Sequence, residues 1–520
     1  MPEPEPPSYE QLLVLSMELA QRNEELAALV SVLSAKVEAL EVEVASLRRQ
    51  VGRDSSNSSQ PPSQDGPAAK GKARALKPGP VQGGIKRRAG GQKGHRGTSL
   101  ERVAVPERTQ KVRPPACGGC GGGLETAEGR IASAVQVFDI PQIAVTVTEY
   151  QMMALTCGCG HVTTAAPPPQ VSGGPTCYGP NVIAAATFLA STDVLGLERT
   201  ADLMSALLGT PVSTGFISRC LIRLDTALQN AGFEGALKTA LSEADVLGTD
   251  ESPAPITATG KDLTQAGTKD VVGQDCHNPH VFTCRTMHAY TGGGPDLVWY
   301  GAAGTRTKPA ITAFGILDPF KGVLVRDDYG GYHSYDEQLT GVQQCLSHLI
   351  RYLDDAYGID PLAQAWTRQV VEVFRTAIHT VKTTRAEGHT SLDAEFLTDL
   401  RHRYDQAVAV GISTNLSRPW HKDKKHPGLV LARRLKRKTE QVWLFTGRFD
   451  VPPTNNGSEN AIRGYKIAVK VSGCWRTLAT LQRHCRIRSY LTSARNHARQ
   501  PLDAIRDALS GYPWMPPVPT

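Results

Sequence analysis

Three acidic residues occupy positions where carboxylates could work together. Asp250 closes the apolar run in ADVLGTDESP, and Asp327 closes the one in GVLVRDDYGGY. Glu459 lies in TNNGSENAIRGYKIAVKVSGCWRT (454–477), where it is the sole acid among Arg463, Lys466, Lys470 and Arg476. If that segment is helical, Glu459, Arg463, Lys466 and Lys470 fall at i, i+4, i+7 and i+11, on one face. Taken singly, each acid has an ordinary explanation. An aspartate at a strand end commonly starts a turn, as Asp250 would before Ser252-Pro253 and Asp327 before Tyr329-Gly330-Gly331. A glutamate among cations is commonly one surface ion pair. Taken together, three oxygen donors suit Mg2+, or Mn2+ in its place. Two such ions about 4 Å apart can activate an attacking oxygen and stabilise a leaving one in phosphoryl transfer. Arg463 and Lys466, one and two turns past Glu459, would then meet the phosphates of the cut strand.

The intervening sequence must bring these acids together. After the strand ending at Asp250, HVFTCRTMHAY and GPDLVWYGA read as strands and Lys308 to Ile316 as a short helix. The strand ending at Asp327 follows. Three strands, a helix and a fourth strand, with aspartates ending the first and fourth, is the order of a ribonuclease H-like fold, in which those two strands are neighbours. Alternation sets Asp327 with Val323 and Val325 and puts Asp328 on the opposite face, which selects Asp327. Helical patterns from about Leu349 to Trp443 predict an insertion before Glu459. It ends in the basic LARRLKRKTEQ, which either faces DNA or forms a solvated surface. Upstream, RTADLMSALLGTPVSTGFISRCLIRL (199–224) predicts two helices about Gly209, with Ser213 or Thr214 capping the second. As a helix-turn-helix it would offer Thr214, Ser218, Arg219 and Arg223 to DNA; any helical hairpin with a glycine turn shares this outline.

Other features concern assembly and partners. Leu12, Leu19, Leu26, Leu33, Leu40 and Leu47 recur every seven residues, with Asn23, Val30, Val37, Val44 and Val51 at the partner positions. Valine at a and leucine at d favour a parallel two-stranded coiled coil, with Asn23 fixing register. Cys117 and Cys120 (CGGC), then Cys157, Cys159 and His161 (CGCGH), bracket VQVFDIPQIAVTVTEYQMMAL, which reads as strands. The arrangement describes a zinc ribbon with a structural Zn2+ on Cys117, Cys120, Cys157 and either Cys159 or His161. Eleven cysteines, an odd number unevenly scattered, fit reduced thiols in a cytoplasm rather than a disulfide framework. The acidic, proline-rich start is no secretory signal, and no apolar run approaches a membrane span. Net charge is +7, but Gly66 to Leu100 alone holds nine Lys or Arg and no acid, which suits a polyanionic partner.

DESP at Asp250, VLVRDDYGGY, CLSH at Cys345 to His348 and NNGSENAIR at Asn455 to Arg463 together resemble the transposases of the insertion sequence 66 family. The zipper, the NSSQPPS and GGQKGHRG linker, the cysteine knuckles and YGPNV occur there in the same order, so the resemblance covers nearly the whole chain. It implies a DDE transposase that binds terminal inverted repeats, cuts element ends and joins the 3′-hydroxyls to target DNA, with Asp250, Asp327 and Glu459 as the metal-binding triad. Two departures stand out: Asp328 where the family has glycine, and KVSGCWRT where it is richer in aromatics. They leave Trp475 as a candidate for stacking on a base. Cys345 and His348 resemble the family's C-x-x-H pair, which either binds metal or packs; packing is the expectation here. The organisation expected is multidomain α+β: coiled-coil zipper (1–52), basic linker (53–100), zinc ribbon (101–170), helix-turn-helix-like region (171–236), ribonuclease H-like catalytic core (237–345), helical insertion (346–454) and final helices with Glu459 (455–510). Expected partners are DNA, a second copy of the chain and accessory transposition proteins, in a bacterial cytoplasm at the nucleoid. The rival readings are a non-catalytic zinc and helix-turn-helix regulator, an inactive domesticated copy, and a resolving nuclease of the same fold.

Overall fold

The computed structural model describes residues 8–51, 101–139, 143–168, 174–256, 279–420 and 424–517. The basic linker expected at 53–100 lies outside them. An N-terminal helix, α1, runs Tyr9–Val51. Its heptad residues Leu19, Leu26, Val30, Leu33, Val37 and Leu40 are all more than half exposed, so none of the described residues covers them. The cysteine segment contains one short hairpin, β1 (Ala154–Thr156) antiparallel to β2 (Val162–Thr164). Of the strands expected in 135–155, the described residues keep only Ala154 and Leu155, at the start of β1. Val135, Val137 and Val147 there are solvent-exposed, so their β-branched side chains have no layer to pack against.

Four helices come next: α2 (Pro180–Ser191), α3 (Leu197–Leu208), α4 (Thr214–Asn230) and α5 (Phe233–Ser242). Gly209 closes α3 in the left-handed conformation (φ 62°), where a β-carbon would be strained. Ser213 caps α4 by accepting the Phe216 N–H at 3.1 Å.

A five-stranded mixed sheet forms the centre. It comprises β3 (Val246–Pro253), β4 (His280–Thr286), β5 (Val298–Ala303), β6 (Val323–Arg326) and β7 (Gly341–Gln344), in spatial order β5-β4-β3-β6-β7. The β3–β4 and β4–β5 pairs are antiparallel, whereas β3–β6 and β6–β7 are parallel. Two short helices, α6 (His288–Thr291) and α7 (Lys308–Thr312), lie in the connections. Leu247, Phe282, Trp299 and Leu324 face a core shared with Leu224, Leu228, Phe233 and Leu237 of α4 and α5.

Beyond β7 the chain is helical: α8 (Leu346–Ile359), α9 (Trp366–Ala386), α10 (Ala394–Asn415), α11 (Pro427–Arg437) and α12 (Thr439–Gly447). These bury a core of their own around Leu353, Trp366, Phe374, Tyr404 and Trp443. The chain returns to the sheet as α13 (Asn456–Ser472), α14 (Leu478–Asn496) and α15 (Pro501–Leu509). Ile462, Tyr465 and Leu481 pack against Val281, Val298 and Tyr300. Ser489 and Ser493 of α14 accept the Tyr300 and Val298 N–H groups at 2.8 and 3.0 Å, covering the β5 edge.

Candidate active site

The site begins with strand register. Parallel pairing sets Gly248 of β3 against Val325 of β6, and both strands advance two residues to reach Asp250 and Asp327. Val246, Gly248 and Asp250 share one face of β3, and Val323, Val325 and Asp327 continue the same face of β6. Adjacent strands lie about 4.8 Å apart, so these two acids leave the sheet side by side. The next strand extends the row. Arg326 pairs with Gln344 of β7, and the N–H of the following residue, Cys345, bonds the Arg326 carbonyl at 2.8 Å. Asp250, Asp327 and Cys345 therefore stand at the carboxyl ends of three parallel neighbours, where open α/β sheets place ligands.

Glu459 reaches this row because α13 lands on it closely. A β-carbon on Gly248 would lie 2.5 Å from Ser458 Oγ, 2.7 Å from Asn455 Oδ1 and 2.1 Å from Met287 Cε, so only glycine lets the helix start approach β3. Asn455 precedes α13 without capping it; its side chain instead donates to the Thr249 carbonyl at 2.6 Å. Arg285, paired with buried Asp296, donates to the Gly457 carbonyl at 2.9 Å. Glu459 then sits in the first turn of α13, where the helix dipole favours a carboxylate.

Among the described residues, Asp250, Asp327 and Glu459 do not form a group with ligand atoms all within 4.8 Å of one another, but Asp327 and Glu459 both act on the charge of Asp250. Burial holds the Asp250 carboxyl well above the usual carboxylate range; Glu251, Asp327 and Glu459 push the same way, and Lys466 opposes them. Glu251, on the other face of β3, is pushed up to about 7 by burial and by Asp327, against Arg306 and a 2.7 Å hydrogen bond from the Tyr332 hydroxyl. Sequence reasoning missed Glu251 and its partners Arg306 and Tyr332. Its adjacency to Asp250 in DESP was a visible signal, but alternation turned it away from the triad.

Asp328 has a different set of neighbours. It is 2.6 Å from Lys438 Nζ, 2.9 Å from His333 Nε2 and 3.5 Å from Arg434 Nη1. Burial raises its carboxyl, but Lys438 and Arg434 outweigh this and hold it below the usual range. The expectation of a wholly DNA-facing cationic segment at 431–441 thus needs division. Arg434 and Lys438 turn inward to Asp328, whereas Arg433, Lys436 and Arg437 are exposed.

Cys345 is buried and His348 half-buried, and both lie beside Glu459. Among the described residues, one group of three or more His, Cys, Asp or Glu ligand atoms lies within 4.8 Å of one another: Cys345, His348 and Glu459. Burial and Glu459 push the Cys345 thiol up to about 12. Burial also lowers His348, although Glu459 opposes the shift, so its imidazole is neutral.

The remaining candidates are spread over the surface. Along α13, Lys466 is half-buried beside the acids, whereas Arg463 and Lys470 are exposed. Arg476 is exposed, but Trp475 lies 4.5 Å from the His484 ring and bridges Ile256, which leaves a packed rather than an open aromatic face. Arg219 and Arg223 are exposed on α4. In the first knuckle, the amide N–H groups of Cys120 and Gly119 hold the Cys117 thiol below its usual range; in the second, the Cys159 amide does this for Cys157. No three of Cys117, Cys120, Cys157, Cys159 and His161 form a cluster of the kind made by Cys345, His348 and Glu459.

Helices on a mixed five-stranded sheet are consistent with a transposase catalytic domain. The family described as Transposase IS66 family matches residues 175–483, and a family of unknown function matches residues 5–101. The chain belongs to the IS66 transposase family. A search of curated proteins finds no match. Among the described residues, no helix is long and apolar enough to cross a membrane.

Proposed function

We propose that this chain is the DDE transposase of an insertion sequence, with a ribonuclease H-like core, acting on its element's terminal inverted repeats and on target DNA. The observation that supports this reading is the Asp250 carboxyl, raised by burial and then by Glu251, Asp327 and Glu459, against Lys466. Like charges gathered at strand ends are costly without a cation. Their hard oxygen donors fit Mg2+ or Mn2+, and Asp250, Asp327 and Glu459 would hold it. When bound, such ions supply activation of the attacking oxygen and stabilisation of the leaving one.

The chain's own residues do the positioning. The register of β3 and β6 sends Asp250 and Asp327 from neighbouring strands, and the Gly248 contact brings the start of α13, with Glu459 in its first turn, onto β3. Burial and the neighbouring acids raise the Asp250 carboxyl, so a cation there would compete with a proton and divalent affinity would rise with pH. Exposed Arg463 and Lys470 flank the acids on α13 and suit strand phosphates; Arg476, Arg219 and Arg223 extend the cationic surface. The α1 stripe supports a parallel homodimer, and the two thiolate-favouring knuckles suit a structural Zn2+ that would draw them together. A cytoplasmic, nucleoid-associated enzyme working with or without accessory proteins completes the reading.

The test is strand transfer of a labelled element end in Mg2+ or Mn2+, comparing the intact protein with Asp250→Ala and Glu459→Ala. End binding retained with joining reduced at least 1,000-fold (about 4 kcal/mol of barrier) is the expected outcome. Equal joining by all three proteins would refute the triad, and binding without joining by the intact protein would favour a regulator.

A further inference from the structure

We propose that Cys345, His348 and Glu459 form a second cation site, selective for zinc-class divalent ions, which shares Glu459 with the triad proposed above. Three observations carry it. First, the spacing is that of a coordination shell. Cys345 Sγ lies 3.7 Å and His348 Nδ1 3.4 Å from the same oxygen, Oε1 of Glu459. Tetrahedral zinc with its usual bond lengths separates sulfur from oxygen by about 3.5 Å and nitrogen from oxygen by about 3.3 Å. Second, the His348 Nδ1 atom is buried and, among the described residues, makes no hydrogen bond, which leaves it open to a ligand. Third, the sulfur already accepts the Asn455 N–H at 3.1 Å, the outer contact that steadies a metal-bound thiolate.

The donor set decides the class of ion. A cysteine sulfur, which would lose its proton on binding, and an imidazole favour zinc over magnesium, whose preference is for oxygen ligands and water. The three ligands come from the end of β7, the first turn of α8 and the first turn of α13, so the ion would clamp the return of the C-terminal helices onto the sheet. Binding needs no catalytic role for Glu459, and the proposal stands if the transposition reading fails.

Zinc per chain is measured on the full-length protein after dialysis against excess Mg2+, for wild type, Cys345→Ser and His348→Ala. One fewer bound ion in each folded variant is expected. Co2+ substitution should show a matching loss of thiolate charge-transfer absorption in Cys345→Ser. Equal zinc in all three folded proteins would overturn the site. Should the variants fail to fold, crystals of the wild-type chain grown with Zn2+ decide: anomalous density between the three side chains supports the site, and its absence there overturns it.

Discussion

Asp250 and Glu251 bind protons more tightly in the folded chain than in an unfolded one, for burial and like charge raise both. The folded state therefore holds more protons, and stability falls as pH rises. The loss begins near the unfolded carboxylate values of about 4 and continues through about 7 for Glu251. Asp250→Asn removes its part of that penalty. In metal-free buffer at pH 7 it should melt above wild type, by about 2–4 °C for each kcal/mol recovered, while strand transfer is lost. Thermal melts at pH 5 and pH 8 check this, with the gap between the two proteins widening at pH 8. Asp328 should behave in the opposite way. Asp328→Ala leaves Lys438 buried without its carboxylate and should cost about 3 kcal/mol in denaturant titration. Divalent affinity at the triad should then stay near wild type in calorimetric titration.

At the scale of elements, the decisive contact is α13 on β3. Gly248→Val puts side-chain atoms where Ser458, Asn455 and Met287 already sit, at a cost of about 1–3 kcal/mol. The helix start should lift from the strand and carry Glu459 away from Asp250, so divalent affinity and joining fall together while binding of element ends persists. Gel-shift and strand-transfer measurements on one preparation separate these outcomes. The sequence pattern carried much of this level: the helices about Gly209, the strand order, and Asp327 on the Val323 and Val325 face follow from periodicity. Inward-turned Arg434 and Lys438 were not legible, because a helix surface reads as cationic whether its charges meet solvent or a buried carboxylate.

On the scale of the whole molecule, the helical region between β7 and α13 has its own core, yet both its ends join the sheet at the site. Cys345 opens α8 at the β7 terminus, and Pro453, just before α13, accepts the Leu346 N–H at 3.0 Å. The α1 stripe belongs to this scale too. Deleting residues 1–52 should convert a dimer to a monomer in light scattering, and an unchanged mass would show that the zipper does not set assembly.

The sequence by itself determined the order in which strands and helices follow one another, since alternation and helical spacing are local properties of a chain. Tertiary structure alone decided that Cys345 and His348 share an oxygen of Glu459, more than a hundred residues away, that Asp328 answers to Lys438, and that Gly248 is where helix and strand touch. Those outcomes depend on how two separate cores seat against each other, and no short-range pattern encodes the distance between residues that only packing brings together.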